Sequence, residues 1–245
     1  MDYKPRCTIA VMRFKIDSKI FDAFPGLGIG VIIAKGVNNS GIDDGVQAML
    51  SEQVKRIRTA HNLEALPQEP KIDTWRKAYT KFGGKPKENR SSVENLHRLI
   101  LRGTDLRHIN KLVDAYNLIS LKHMVPVGGE DIDKMQGDII LTFAGQNEVP
   151  VLLLGDKEPR PPHAGEVIYK DGVSTICRRW NWREADRTKL TEGTKNCILV
   201  IEGLPPVTKN EIETATSELS DLIKKSCGGT VTNDVLDQSR SEIEF

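Results

Sequence analysis

Several things are scarce in this chain. Aromatic residues make up 5% of its 245 residues, cysteines number four, and the formal net charge is +1. Cys7, Cys177, Cys197 and Cys227 stand far apart with no CxxC pair. That spacing excludes a cysteine-rich zinc module or a disulfide framework and fits reduced thiols in the cytoplasm. No apolar run approaches the roughly 20 residues of a membrane span, and the first residues carry no cationic-then-apolar leader. Glu94 and His97 lie three apart on a helical stretch, but two further ligands for a metal are missing. No metal, cofactor or membrane is therefore expected. A net charge near zero sets up no global field for a polyanion.

The charge that is present is uneven. Lys71, Arg76, Lys77, Lys81, Lys85, Lys87 and Arg90 stand against only Asp73 and Glu88, while the stretch from Glu211 to Phe245 is acidic. The basic segment reads either as a phosphate contact or as a solvated helix and loop. The densest chemistry is Arg178-Arg179-Trp180-Asn181-Trp182-Arg183, which holds two of the chain's three tryptophans. If extended, this segment puts Trp180 and Trp182 on one face and Arg179, Asn181 and Arg183 on the other. Guanidinium forks match phosphate, indoles offer a stacking surface, and the amide both donates and accepts. The plainer reading is a strand edge with half-buried indoles and solvated arginines.

The periodicities describe an α+β chain. A strand is expected from Cys7 to Ile16, and a glycine turn over Phe24–Gly30 leads into a strand at Val31–Ala34. Those glycines do not open a phosphate loop, because a β-branched run rather than a helix follows them. Helices are expected over 43–62, with Val46, Leu50, Val54 and Ile57 inward, over 72–82, from a capping box at Ser91–Glu94, and over 106–121. On the last of these, Asn110, Asp114 and Asn117 draw a polar line beside the apolar face. Strands follow at 139–143, 149–154, 167–169, 173–178 and 197–201. A second capping box, Thr208 with Glu211, starts a helix ending near Lys225. The organisation expected is one domain over 1–232, with an N-terminal α/β portion over 1–66 and core motifs over 90–205. A loose polar tail over 233–245 completes it.

Two separated strings carry a resemblance. In INKLVDAYNLISLKHMVPVGGEDIDKMQGDI, the residues Ile109, Asn110, Val113, Asp114, Asn117, Leu121, Pro126, Asp131, Asp133, Lys134 and Gly137 fall into register with a segment of the bacterial phenylalanyl-tRNA synthetase β subunit. Leu190-Thr191-Glu192-Gly193-Thr194-Lys195-Asn196-Cys197-Ile198-Leu199 is similar to a later motif of the same subunit, and Leu153-Leu154-Gly155-Asp156 to a turn between them. The chain resembles a freestanding B3/B4-domain protein. That resemblance implies a mixed or antiparallel sheet flanked by helices. It also implies an editing module that hydrolyses the ester of mischarged tRNA. A histidine of the synthetase's pocket falls on Gly128 here, and a second pocket acid falls near Asp186.

The chemistry expected follows from residue type and register. Asn117, Asp131 and Asp186 are the candidate catalytic residues, positioning the water, the α-amino group or the ribose. Gly128 and Gly129 offer close backbone N–H donors to a tetrahedral oxygen. Arg178, Arg179, Trp180, Asn181, Trp182 and Arg183 are the candidate substrate-binding residues, and the partner is the acceptor end of a mischarged tRNA. The alternatives are a non-catalytic RNA- or amino-acid-binding module and a hydrolase of small amino-acid esters. A His163–Cys177 nucleophile pair is the weakest reading, because strand cysteines are usually buried and inert.

Overall fold

The structure is a computed structural model, and it describes residues 11–245. Of the expected strand from Cys7, the part before residue 11 lies outside the described residues. The elements run β1 (Arg13–Ile16), α1 (Ser18–Ala23), β2 (Gly28–Lys35), α2 (Asp44–Ala60), α3 (Pro70–Lys81), α4 (Ser92–Leu101), α5 (Lys111–His123), β3 (Val127–Asp131), β4 (Ile139–Phe143), β5 (Val167–Lys170), β6 (Thr175–Arg178), β7 (Arg183–Glu184), β8 (Asn196–Gly203), α6 (Lys209–Cys227), β9 (Thr230–Leu236) and β10 (Glu242–Glu244). They form two sheets, ordered β10-β1-β4-β5-β6-β7 and β3-β8-β2-β9. Among the described residues, only β1 and β4 pair in parallel and every other strand pairing is antiparallel. This is the α+β architecture of mixed and antiparallel sheets flanked by helices.

The apolar runs of β2 and β8 explain the layering. Alternate side chains leave a strand on opposite faces. Ile29, Val31, Ile33 and Ile198 join a core with Phe14, Leu141, Val167 and Ile176 of the larger sheet. Ile32, Ala34, Cys197, Leu199 and Ile201 join a second core with Leu112, Ile119, Leu219 and Ile223 of α5 and α6. The smaller sheet is thus buried on both faces, between two helices and the larger sheet, which is why its central strands read as continuous hydrophobic runs. A Cβ on Gly30 would lie 1.9 Å from Thr216 Oγ1, so the bare backbone there lets α6 settle onto the sheet.

Three local expectations need correction. The Ser91 hydroxyl caps α4 at the Glu94 N–H, but the Glu94 carboxylate does not reach back to complete a box. It is held instead by Arg76 and Arg98. The stretch 149–154 makes only isolated bridges, Val151 with Arg160 and Leu153 with Ala185, rather than a strand. The tail over 233–245 is not loose. β9 pairs along β2, and Ile243 of β10 pairs with Phe14. Its side chains are mostly polar because both are edge strands, where backbone pairing needs no apolar face. Thr208 and Glu211 do form the reciprocal capping box of α6. Among the described residues, no helix is long and apolar enough to cross a membrane.

Candidate active site

β3 is one edge of the smaller sheet, opposite β9, and β7 one edge of the larger, opposite β10. Where these edges approach, a cavity of about 280 Å³ opens between the sheets, roofed by α4 and α5. This lies near the lower end of small-molecule sites, roughly 300–1,000 Å³. Its apolar wall comes from Phe14, Ile139, Ile176, Ile198 and Val200, with Leu96 and Leu99 of α4. Set into that wall are Asn95, Tyr116, Asn117, Glu130, Tyr169, Glu184 and Glu202.

The glycine pair and the arginine–indole segment meet at this cavity. Gly128, Gly129, Trp180, Asn181, Trp182 and Arg183 all line it, as does Asn117. The segment is not extended, however. Trp182 N donates to Arg178 O at 3.3 Å, closing a turn between β6 and β7. Arg179 and Trp180 take the left-handed φ values of 47° and 66°. Such values cost a non-glycine residue about 1 kcal/mol or more, and buried contacts offset the cost. Trp180 turns into the core, fully buried, with its ring 4.7 Å from Phe24 and 5.0 Å from Trp75. Trp182 is half-buried against the same core, with the guanidinium groups of Arg179 at 4.4 Å and Arg183 at 4.6 Å over its ring. The extended geometry expected of this segment is therefore overturned by the turn.

The turn is anchored by Glu166, which accepts from Arg178 Nε and Nη2 at 2.8 Å each and from the Arg179 N–H at 3.2 Å. Burial pushes this carboxyl up, but the Arg178 hydrogen bonds and charge prevail and hold it below the ordinary range. Arg178 is consumed by this contact and does not line the cavity; nor does Arg179. Asp131 is also away from it, buried and accepting from Thr194 Oγ1 at 2.7 Å and the Asp133 N–H at 3.0 Å. Asp186 is paired with Lys189 at 2.6 Å, outside the cavity. On the polar line of α5, Asn110 caps the helix and Asp114 binds Gln47 and His108, leaving Asn117 for the cavity.

Three acids that residue type and register did not single out dominate the cavity. The Gly129 N–H points off the edge of β3 and donates to Glu184 Oε1 at 3.4 Å. Burial pushes the Glu184 carboxyl up to about 7, against the pull of that N–H. Glu130 sits beside it with Oε2 buried and without a hydrogen-bond partner among the described residues. Burial first, and the Glu184 charge second, raise Glu130 well above the carboxylate range. Glu202, on β8, is held by Tyr169 Oη and by Asn181 Nδ2 at 2.6 Å. Burial lifts it to about 7 as well, opposed by those two donors. One signal was available: Glu202 directly follows the apolar run Ile198-Leu199-Val200-Ile201 on one strand, where an acid is buried and therefore perturbed.

The acid pair also accounts for Gly128. A Cβ there would lie 3.1 Å from Glu184 Oε1, so a bulky side chain and this carboxylate compete for one space. Gly128→Ala should leave the thermal midpoint within a few degrees, since the backbone is ordinary strand. It should slow any reaction that uses Glu184 by roughly tenfold through displacement of the carboxylate. Circular dichroism melts and single-turnover rates check both halves. Burial raises the Cys177 thiol well above its usual range, and among the described residues no histidine lines the cavity. Among the described residues, no cluster of three or more His, Cys, Asp or Glu could hold a metal.

Residues 74–239 match the B3/4 domain family. The chain belongs to that family. The B3/4 match takes in most of α3 and every element from α4 to β9, including β3 and β7. A solved N-terminal fragment of the phenylalanyl-tRNA synthetase β-subunit from Pyrococcus horikoshii is similar at 14% identity with a TM-score of 0.47, over 91% of this chain and 54% of that one. This B3/4 chain therefore spans about half the length of that fragment. No curated protein matches it.

Proposed function

We propose that this B3/4 protein is an aminoacyl-tRNA deacylase that removes the wrong amino acid from tRNA in trans, in the cytoplasm. The observation that carries the reading is a carboxyl titrating near neutrality beside an edge-strand N–H, in a cavity large enough for one aminoacyl group. The motif resemblance to a synthetase editing module supports the choice of ester.

The chemistry needs little from the protein, because the ester of an aminoacyl-tRNA is already labile. The α-ammonium of the amino acid donates to a carboxyl oxygen of Glu130, which burial and the Glu184 charge keep protonated. A carboxylate with a pKa close to the working pH is suited to take a proton from water as the water attacks the ester carbonyl. Glu184 has this role, replacing the one expected of Asp131 or Asp186. The Gly129 N–H contact at 3.4 Å is long, and the same donor serves the developing oxyanion. The proton then passes to the ribose 3′ or 2′ oxygen as the C–O bond breaks, releasing free amino acid and tRNA. Asn117 and Asn181 on the wall orient the substrate, and the guanidinium groups of Arg179 and Arg183 over Trp182 meet the phosphate of the terminal nucleotide.

A panel of mischarged tRNAs incubated with the full chain tests this. At least one aminoacyl ester should be hydrolysed well above its spontaneous rate. Binding of tRNA without hydrolysis of any panel member would instead make the chain a recognition module.

A further inference from the structure

The basic segment supplies a second feature, outside the cavity. Three guanidinium groups meet a single carboxylate on α4. Glu94, fully buried, accepts from Arg76 Nη1 at 2.8 and 3.1 Å and from Arg98 Nε at 2.8 Å. Arg90 Nε lies 3.7 Å from the same carboxylate, too far for a hydrogen bond. That nitrogen is buried and has no partner among the described residues. Two arginines already satisfy Glu94, so Arg90 is surplus charge held among like charges. Burial, and repulsion from Arg98, Arg102 and Arg76, weaken its hold on its proton. The Arg90 side chain is 27% exposed, so its outer guanidinium nitrogens, in a cluster with excess positive charge, can take an anion's oxygen.

The surroundings say which anion. On one side, a shallow groove between α3 and the following loop is lined by Arg76, Lys77, Lys85 and Lys87, against Asp73 and Glu88. On the other side, two residues along from Arg90, Ser92 lines the cavity and its N–H donates to Asn181 O at 3.0 Å. Tyr79 of α3 donates to the Asn181 side chain at 3.0 Å, which locks the same segment to the cavity wall. Lys77 pairs with Asp73 at 2.6 Å and Lys85 lies 3.6 Å from Glu88, so Lys87 and Arg90 are the cations left to meet an anion between the groove and the cavity. An isolated phosphate needs one such site; a polymer of phosphates whose end enters the cavity needs both, as a track.

We propose that Lys87 and Arg90 carry the phosphodiester backbone of a single RNA strand whose 3′ end occupies the cavity, with Arg90 taking a phosphate oxygen nearest the mouth. This rests on the deacylase reading for what the cavity holds, but its test does not depend on hydrolysis. Binding of uncharged bulk tRNA to the full chain is measured by filter retention between roughly 50 and 200 mM salt. Two variants are compared, Arg90→Gln and Lys87→Ala. Arg90 makes no hydrogen bond to Glu94 and Lys87 is exposed, so both should fold, as unchanged melting checks. Each should weaken tRNA binding about tenfold and reduce the slope of log K against log salt by about 0.7 for every phosphate no longer neutralised. Unchanged affinity and slope in both variants would overturn the track. So would inorganic phosphate displacing tRNA as effectively as unlabelled tRNA does, since that marks a single-ion site. If no aminoacyl ester is cleaved but both variants lose tRNA, the deacylase reading fails and the track stands. If esters are cleaved and both variants bind normally, the track alone fails.

Discussion

Glu184→Gln lowers the rate of ester hydrolysis by about 10²-fold or more, the range lost when a positioned general base is removed. Glutamine keeps the size and the acceptor oxygen for the Gly129 N–H but cannot take a proton. In the wild-type chain, the rate should rise with pH up to about 7, where the Glu184 carboxyl ionises, and then level off. The variant should lose that inflection along with the rate. Stability moves the opposite way. The Glu184 carboxyl titrates near 7 when folded and near its ordinary 4.5 when unfolded, so the folded chain holds an extra proton between those values. Its stabilising contribution is complete below about 4.5 and is lost as pH rises through about 7. Glu184→Gln should therefore melt at or above the wild-type temperature at pH 8, with the advantage disappearing below about pH 4.5. A variant that is both slower and no less stable separates a catalytic role from a structural one.

Trp180→Ala should cost about 3–5 kcal/mol, as for other fully buried tryptophans. The indole packs on Trp75 and Phe24 and holds the β6–β7 turn against the core. Truncation leaves a large void and keeps the left-handed φ, which alanine does not favour either. For a chain of this length the expected fall in melting temperature is roughly 6–20 °C. Trp180→Phe should lose much less. Thermal melts of the two variants decide the point. Activity should fall in Trp180→Ala even below its melting temperature, because Asn181, Trp182 and Arg183 all follow from the turn.

The helices were legible because their apolar residues recur at helical spacing. Val46, Leu50, Val54 and Ile57 do share one buried cluster with Ile100, Leu118 and Leu121. The double burial of β2 was written in Ile29-Gly30-Val31-Ile32-Ile33-Ala34, where no polar face exists. β9 and β10 were not legible, since long-range pairing of an edge strand leaves almost no mark on its side chains. The cavity was half legible. Residue type marked the glycine pair and the hairpin, and they converge. Glu130 and Glu184 each adjoin a marked residue, yet an acid on a short strand looks the same whether it faces water or a cavity. The turn at Arg179 and Trp180 was hidden for a related reason. Neither is a residue that favours positive φ, and only the burial of Trp180 and the grip of Glu166 impose it.

The most direct test is to see where an aminoacyl end binds. An amide-linked aminoacyl-adenosine, resistant to hydrolysis, can be soaked into crystals of the full chain and its position read from the density. Its carbonyl should lie within hydrogen-bond distance of the Gly129 N–H, its α-ammonium against Glu130, and its nucleoside near Trp182. An analogue seated elsewhere on the surface, with the space between β3 and the β6–β7 turn filled only by solvent, would contradict it.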